Sequence, residues 1–94
     1  MRNYEFTLII RSGKVDEGKA ALKDIFSKCG VTVESEDDWG PRKLAYAIDE
    51  EKEGYYVFNI LQANPDAVAK VQGLLRLNNI FLRFMFVVLN KKSA

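Results

Sequence analysis

The sequence predicts an α+β sandwich, in which a four-stranded antiparallel sheet carries two helices on one face and the chain order is β-α-β-β-α-β. Three observations carry that prediction. Residues 3–11 alternate in polarity and residues 80–89 are strongly apolar, with two further extended segments between them. Two stretches of helical spacing separate these strands, so that one strand stands at each end and a pair in the middle. Both helices carry residues that favour helix ends. Ninety-four residues suffice for one domain with one modest core.

In the first strand Tyr4, Phe6, Leu8 and Ile10 point one way and Asn3, Glu5, Thr7 and Arg11 the other. Ile9 is the one apolar residue on the second face. Ser12-Gly13-Lys14 breaks the alternation, and from Val15 the spacing becomes helical. Leu22, Ile25, Phe26 and Cys29 fall on one side of that helix, with Lys19, Lys23, Asp24 and Lys28 opposite. Gly30 follows the last periodic residue, where a left-handed cap is expected, so the helix spans 15–29 and Cys29 is expected inside. Val31-Thr32-Val33 restarts a strand, which is interrupted at Glu36-Asp37-Asp38-Trp39-Gly40-Pro41 and resumes over Leu44–Ile48. Gly-Pro within an extended segment implies a bulge or bend, tolerated best at a sheet edge.

The acidic run 49–53 ending in Gly54 reads as a hairpin turn, and Tyr55–Leu61 as the next strand. Within it Tyr56, Phe58 and Ile60 are assigned to the core, with Tyr55 at the strand start. Asn64-Pro65-Asp66 opens the second helix with an N-cap, a first-position proline and an acid in the first turn. Val68, Val71, Leu74 and Leu75 form its apolar stripe, Asn78-Asn79 ends it, and Ile80–Leu89 is the last strand. This order is the split βαβ, or ferredoxin-like, arrangement, which leaves one sheet face open. Residues 1–90 form the domain and 91–94 a short basic tail.

Composition narrows the function. No apolar run reaches the roughly 18–20 residues of a membrane span, and Met1-Arg2-Asn3-Tyr4-Glu5 does not resemble a signal peptide. A single cysteine excludes an internal disulfide and fits a reducing cytoplasm. With no histidine, a His-based triad and the usual zinc sets are excluded, and Cys29 on an apolar helix face is a poor nucleophile. Gly13-Lys14 lacks both the upstream glycine and the following Ser or Thr of a P-loop. The carboxylates of 34–38 and 49–53 lack the alternation and central glycine of a calcium loop and read as solvated turns. Arg11-Ser12-Gly13-Lys14 is unlike the phosphate-holding loop of acylphosphatases, which share this fold class. No enzyme, cofactor, metal or small-molecule substrate is expected.

Binding features are better represented. Net charge is +1, yet residues 34–53 hold eight acids against Arg42, Lys43 and Lys52, which leaves +6 for the remainder. Arg2 begins the first strand, Arg76 ends the second helix, Arg83 lies in the fourth strand and Lys91-Lys92 in the tail, with Asn78 and Asn79 between. First and fourth strands are neighbours in this fold, so these residues are expected to converge on one edge, away from the acidic turn, with the amides of Asn78 and Asn79 freely presented. Arg and Lys neutralise phosphate and Asn reads sugar and base edges. Lys52-Glu53-Gly54-Tyr55-Tyr56-Val57-Phe58 is similar in outline to the basic-Gly-aromatic strand of RNA-recognition motifs, but the first strand supplies no second stacking aromatic, and the core assignment is preferred.

Three stretches resemble bacterial small-subunit ribosomal protein S-six. Met1-Arg2-Asn3-Tyr4-Glu5 is similar to that family's Met-Arg-x-Tyr-Glu start. Glu36 to Ile48 is similar to its central signature of an acidic Trp-Gly turn, a basic pair and Leu-Ala-Tyr-Pro-Ile. Arg76-Leu77-Asn78-Asn79 with Leu82-Arg83-Phe84-Met85 resembles its Arg-x-Asn-(Asp/Asn)…(Leu/Ile)-Arg-x-Met segment. The resemblance implies a ferredoxin-like structural protein that binds the central domain of small-subunit rRNA together with ribosomal protein S-eighteen. It implies an RNA side at Arg2, Arg76, Asn78, Asn79 and Arg83, to which the charge argument adds Lys91 and Lys92. The bulged edge strand with Trp39, Arg42, Lys43 and Tyr46 is the expected surface for the partner protein, since an edge strand offers unpaired backbone and an aromatic anchor. Ala47 stands where the family usually has Pro, which favours a straighter strand there. The alternative is a regulatory or ligand-binding module of the same fold that dimerises through its open face.

Overall fold

The computed structural model describes residues 2–48 and 50–89. Its elements are β1 (Arg2–Arg11), α1 (Val15–Cys29), β2 (Thr32–Ile48), β3 (Glu51–Ala63), α2 (Pro65–Arg76) and β4 (Phe81–Val88). The strands form one antiparallel sheet in the order β2-β3-β1-β4, so the expected split βαβ topology is the one observed. Both helices cover the same face. Leu22, Ile25 and Phe26 of α1 and Val71 and Leu75 of α2 share one core with Phe6, Leu8, Ile10, Val57, Leu61 and Phe81.

The helix ends follow the sequence closely. Gly30 takes φ 73°, and its N–H and that of Val31 donate to the carbonyls of Ser27 and Phe26, which satisfies orphan carbonyls at the end of α1. Asn64 is the N-cap of α2 through its extended backbone, although its side chain donates and accepts no capping bond, and Pro65 opens the helix. Cys29 is half-buried rather than enclosed, and Leu74 of the predicted apolar stripe is exposed.

Larger differences lie in the central hairpin. β2 is one 17-residue edge strand, and the predicted interruption takes the form of register shifts within it, between Val33 and Ser35, Asp38 and Gly40, and Lys43 and Ile48. Gly40 adopts φ 83° at the second of these, a conformation that strains any residue with a Cβ. The third leaves four β2 residues between Lys43, opposite Glu53, and Ile48, opposite Glu51. The strand is therefore looped out of register around Ala47 rather than straightened. Residues 51–53 belong to β3, with Glu50 at φ 68° in the turn, and Gly54 sits inside the strand. A Cβ on Gly54 would lie 2.3 Å from Ile9 Cγ2, so close approach across the sheet, and not a turn, requires glycine there.

The phase of β3 is the main correction. β1 pairs Tyr4 with Leu61, Phe6 with Asn59 and Leu8 with Val57. Val57, Asn59, Leu61 and Ala63 therefore face the helices and are buried, while Tyr56, Phe58 and Ile60 lie on the open face, half-buried. A one-residue change of phase moves every side chain to the other face.

Candidate interaction surface

The open face gains its relief from the hairpin. The β2 bulge at Trp39–Gly40 turns the indole of Trp39 over the sheet, where it lies nearly parallel to Phe58 (centroids 5.4 Å, 12°) and Tyr56 (6.5 Å, 11°). Its Nε1 donates to Asp37 Oδ2 at 3.1 Å, and the Arg42 guanidinium stands 5.6 Å from its centroid. Trp39 nevertheless stays 43% exposed. Tyr56 and Phe58 thus do form an aromatic platform of the kind that stacks bases, but the chain's own indole occupies it. Sequence reasoning placed both rings in the core; the pairing with β1 shows their true face.

Farther along, the looped segment of β2 brings Tyr46 to Arg83 of β4. Arg83 Nη1 donates to the Tyr46 hydroxyl at 2.7 Å, and the guanidinium is 5.5 Å from the ring centroid. Arg83, predicted for RNA, and Tyr46, predicted for the partner protein, are therefore in direct contact, with Tyr46 60% exposed. Lys43, also in the hairpin, is exposed and pairs in register with Glu53. Arg76 lies over Phe84 at 5.8 Å, on the helix-covered side of β4, whereas Arg83 lies on the open side. The free edge of β4 is thus flanked by one guanidinium above and one below.

The α2–β4 loop is more committed than the sequence suggests. Asn78 Oδ1 accepts the Ile80 N–H at 3.0 Å, so its carbonyl oxygen is not freely presented. Asn79 is exposed, and its backbone carbonyl accepts Arg11 Nε at 3.1 Å. The same Arg11 pairs with Glu51 at 3.0 Å through Nη1. This corrects the expected charge layout: the loop of Asn78 and Asn79 lies at the same end of the sheet as the acidic hairpin, stitched to it by Arg11. The expected convergence also fails for Arg2, which pairs with Ala63 at the far end of β1, while Arg83 pairs with Ile9. Lys91 and Lys92 lie outside the described residues.

On the helix side, Lys19 makes an ion pair with Asp38, whose Oδ2 also accepts the Tyr55 hydroxyl at 3.1 Å. The hydrogen bond to Asp38 holds the Lys19 ammonium above its usual pKa of 10.5, against a smaller opposing effect of burial. Among the described residues no group of three or more His, Cys, Asp or Glu side chains is placed to hold a metal, and no helix is long and apolar enough to cross a membrane.

Comparison with known proteins fits this architecture. The family described as Ribosomal protein S6, the S-six of the resemblance above, matches residues 3–88. The small ribosomal subunit protein bS6 of Clostridium novyi is 42% identical over 92 residues, covering 93% of this chain and 96% of the relative. Its counterpart from Leptospira biflexa is 34% identical over 90 residues, covering 96% and 99%. The crystal structure of 30S ribosomal protein S6 from Thermotoga maritima superposes with a TM-score of 0.84 at 19% identity, covering 94% of this chain and 87% of that one. At that identity the superposition speaks for the fold, and the sequence matches speak for the family.

Proposed function

Because the chain belongs to the ribosomal protein S6 family, we propose that it is a non-catalytic structural constituent of the small ribosomal subunit, working on cytoplasmic ribosomes. In this reading it binds the central domain of small-subunit rRNA together with ribosomal protein S-eighteen. The RNA side is centred on Arg76, Arg83 and Asn79 along the free edge of β4, with Asn78 shaping the loop. Arg2 makes a separate contact at the other end of β1, and Lys91 and Lys92 contribute further positive charge to RNA binding. Trp39, Arg42, Lys43 and Tyr46 on the bulged hairpin receive the partner protein.

The observation that supports this reading is the Arg83–Tyr46 contact, which joins a residue proposed for RNA to one proposed for the partner protein. A partner seated on the hairpin fixes Tyr46, and Tyr46 in turn fixes the guanidinium that meets phosphate. Net charge of +1 leaves the isolated chain few phosphate contacts, hence weak binding with a shallow salt dependence. A partner that adds basic surface corrects this.

The test is reconstitution of the full chain with partner and central-domain RNA. Arg83→Ala and Arg76→Ala are each expected to weaken assembly by about 1–3 kcal/mol. If neither changes it, the RNA side lies elsewhere. Tight, salt-insensitive binding of RNA by the chain alone would contradict the paired mechanism. The partly apolar open face supports a second reading, the dimerising module; a stable homodimer by solution mass, without RNA affinity, selects it.

A further inference from the structure

The sheet has two edges, and they are built differently. β2 carries Pro41, three register shifts and the acids Glu36, Asp37 and Asp38. Proline, bulges and charge are the devices by which edge strands refuse a further strand. β4, at the other edge, reads Phe-Leu-Arg-Phe-Met-Phe-Val-Val, with no proline, no glycine, no acid and a single basic residue. That residue, Arg83, is drawn over its own sheet by its 2.7 Å hydrogen bond to the Tyr46 hydroxyl. Met85, Val87 and Val88 are 57%, 45% and 45% exposed, so the unguarded edge is also apolar.

The backbone fixes which groups this edge offers. The Leu89 N–H donates to the Asn3 carbonyl at 2.9 Å, one place beyond the Tyr4–Val88 pair. Hydrogen-bonded pairs alternate along an antiparallel ladder, so Val87, Met85 and Arg83 also direct their N–H and C=O groups to β1. Phe84, Phe86 and Val88 direct theirs away from the sheet, on the side where no strand lies. A row of outward donors and acceptors between apolar side chains is a template for another extended chain.

We propose that this edge pairs antiparallel with β4 of a second copy of the chain, about a twofold axis at Met85, joining the two four-stranded sheets into one. In that register Phe84 of each copy forms a hydrogen-bonded pair with Phe86 of the other, and Met85 meets Met85 in the non-bonded place between them. Charge selects this register. Arg83 falls beside Val87 of the second copy, so the two arginines do not meet, and the next residue across the same face is Glu5, the β1 partner of Val87. The Arg83 and Glu5 Cα atoms then stand about 10 Å apart, two strand spacings. Glu5 makes no ion pair among the described residues. Shifting the pairing by two residues either way puts Thr7 or Asn3 in the place of Glu5. One strand pair is small beside the roughly 1,200–2,000 Å² of stable interfaces, so the dimer is weak and forms at high concentration. The pairing covers the edge proposed above for RNA, but it does not rest on that reading.

The test follows the full chain at rising concentration by sedimentation and by amide hydrogen exchange. A dimer is expected at high concentration, with the amides of Phe84 and Phe86 exchanging several-fold more slowly than in the dilute chain. Met85→Lys sets two ammonium groups face to face on the axis from an exposed position; it is expected to keep its fold, stay monomeric and lose that slowing. A second variant reads the register directly. With Cys29→Ser in place to remove the native thiol, Met85→Cys is expected to cross-link two copies on oxidation with diamide. A non-hydrogen-bonded pair puts the two Cα atoms about 4.5 Å apart, within disulfide reach. Val87→Cys, which faces Arg83 of the second copy, is expected to remain largely unlinked. A chain that is monomeric at every concentration overturns the proposal. So does a dimer in which the Phe84 and Phe86 amides exchange as they do in the monomer, the signature of pairing through the open face instead. Cross-linking that favours Val87→Cys over Met85→Cys overturns it as well.

Discussion

The two faces of this sheet are made by the same strands and differ in what covers them. On the helix side, Phe6 lies in register between Asn59 and Phe86, and Leu8 between Val57 and Phe84; both are fully buried. On the open side, Thr7 lies between Phe58 and Met85, and Ile9 between Tyr56 and Arg83. Strand alternation produces both rows equally well. Helices bury the first, and the second receives only the partial cover of Trp39 and Tyr46 from the looped hairpin. The lesson is that the rings most readily taken for core lie on the open face, while the buried face tolerates a polar residue.

This contrast can be broken from either side. Phe6→Ala strikes the covered face, where Phe6 meets Phe26 at 5.6 Å and Phe86 at 4.6 Å between centroids. It is expected to lower unfolding free energy by about 3–5 kcal/mol in a denaturant titration. Gly54→Ala pushes a methyl into Ile9 from the open face and is expected to lose about 1–3 kcal/mol. In a double-mutant cycle Ile9→Ala should relieve part of that loss; strict additivity would show that the clash is absorbed elsewhere. Trp39→Ala removes two stacked contacts from a half-exposed site and is expected to reduce stability by only about 1–2 kcal/mol. Its effect on partner binding should be at least as large, since an exposed aromatic anchor contributes most in the complex.

The smallest effect concerns pH. The Asp38 hydrogen bond raises the folded-state pKa of Lys19 above 10.5, so the pair's contribution is fully present below that value and is lost as pH rises through the raised pKa. Lys19→Met should therefore flatten the alkaline limb of a stability–pH curve without changing its shape near neutrality. An unchanged alkaline limb would show that the pair adds nothing in solution, a common outcome for exposed ion pairs.

Much of this architecture is legible in the chain. The alternation of Tyr4, Phe6, Leu8 and Ile10, the helical spacing up to Cys29, the Gly30 cap and the Asn64-Pro65 start are local signals, and each element they define is present. The bulge at Trp39–Gly40 is equally local, because a glycine followed by a proline in an extended segment limits the backbone conformations available. The candidate surface is less legible. Arg76 and Arg83 can be placed on β4 and its approach, but their positions on opposite sides of the strand edge, and the contact of Arg83 with Tyr46 from 37 residues away, depend on how the hairpin loops back.

What the sequence determined by itself was the order of elements, their ends, the family resemblance and the poverty of catalytic groups. What the tertiary structure alone decided was the face to which each side of β3 belongs. In Tyr55-Tyr56-Val57-Phe58-Asn59-Ile60-Leu61 both phases are apolar, and the buried one contains Asn59, so hydrophobicity within the strand favours the wrong choice. Pairing with β1, whose phase is unambiguous, resolves it, because register couples the faces of neighbouring strands. The same coupling puts Tyr56 and Phe58 beneath Trp39 and leaves Asn59 unpaired beneath α1. Both follow from long-range pairing that no local window contains.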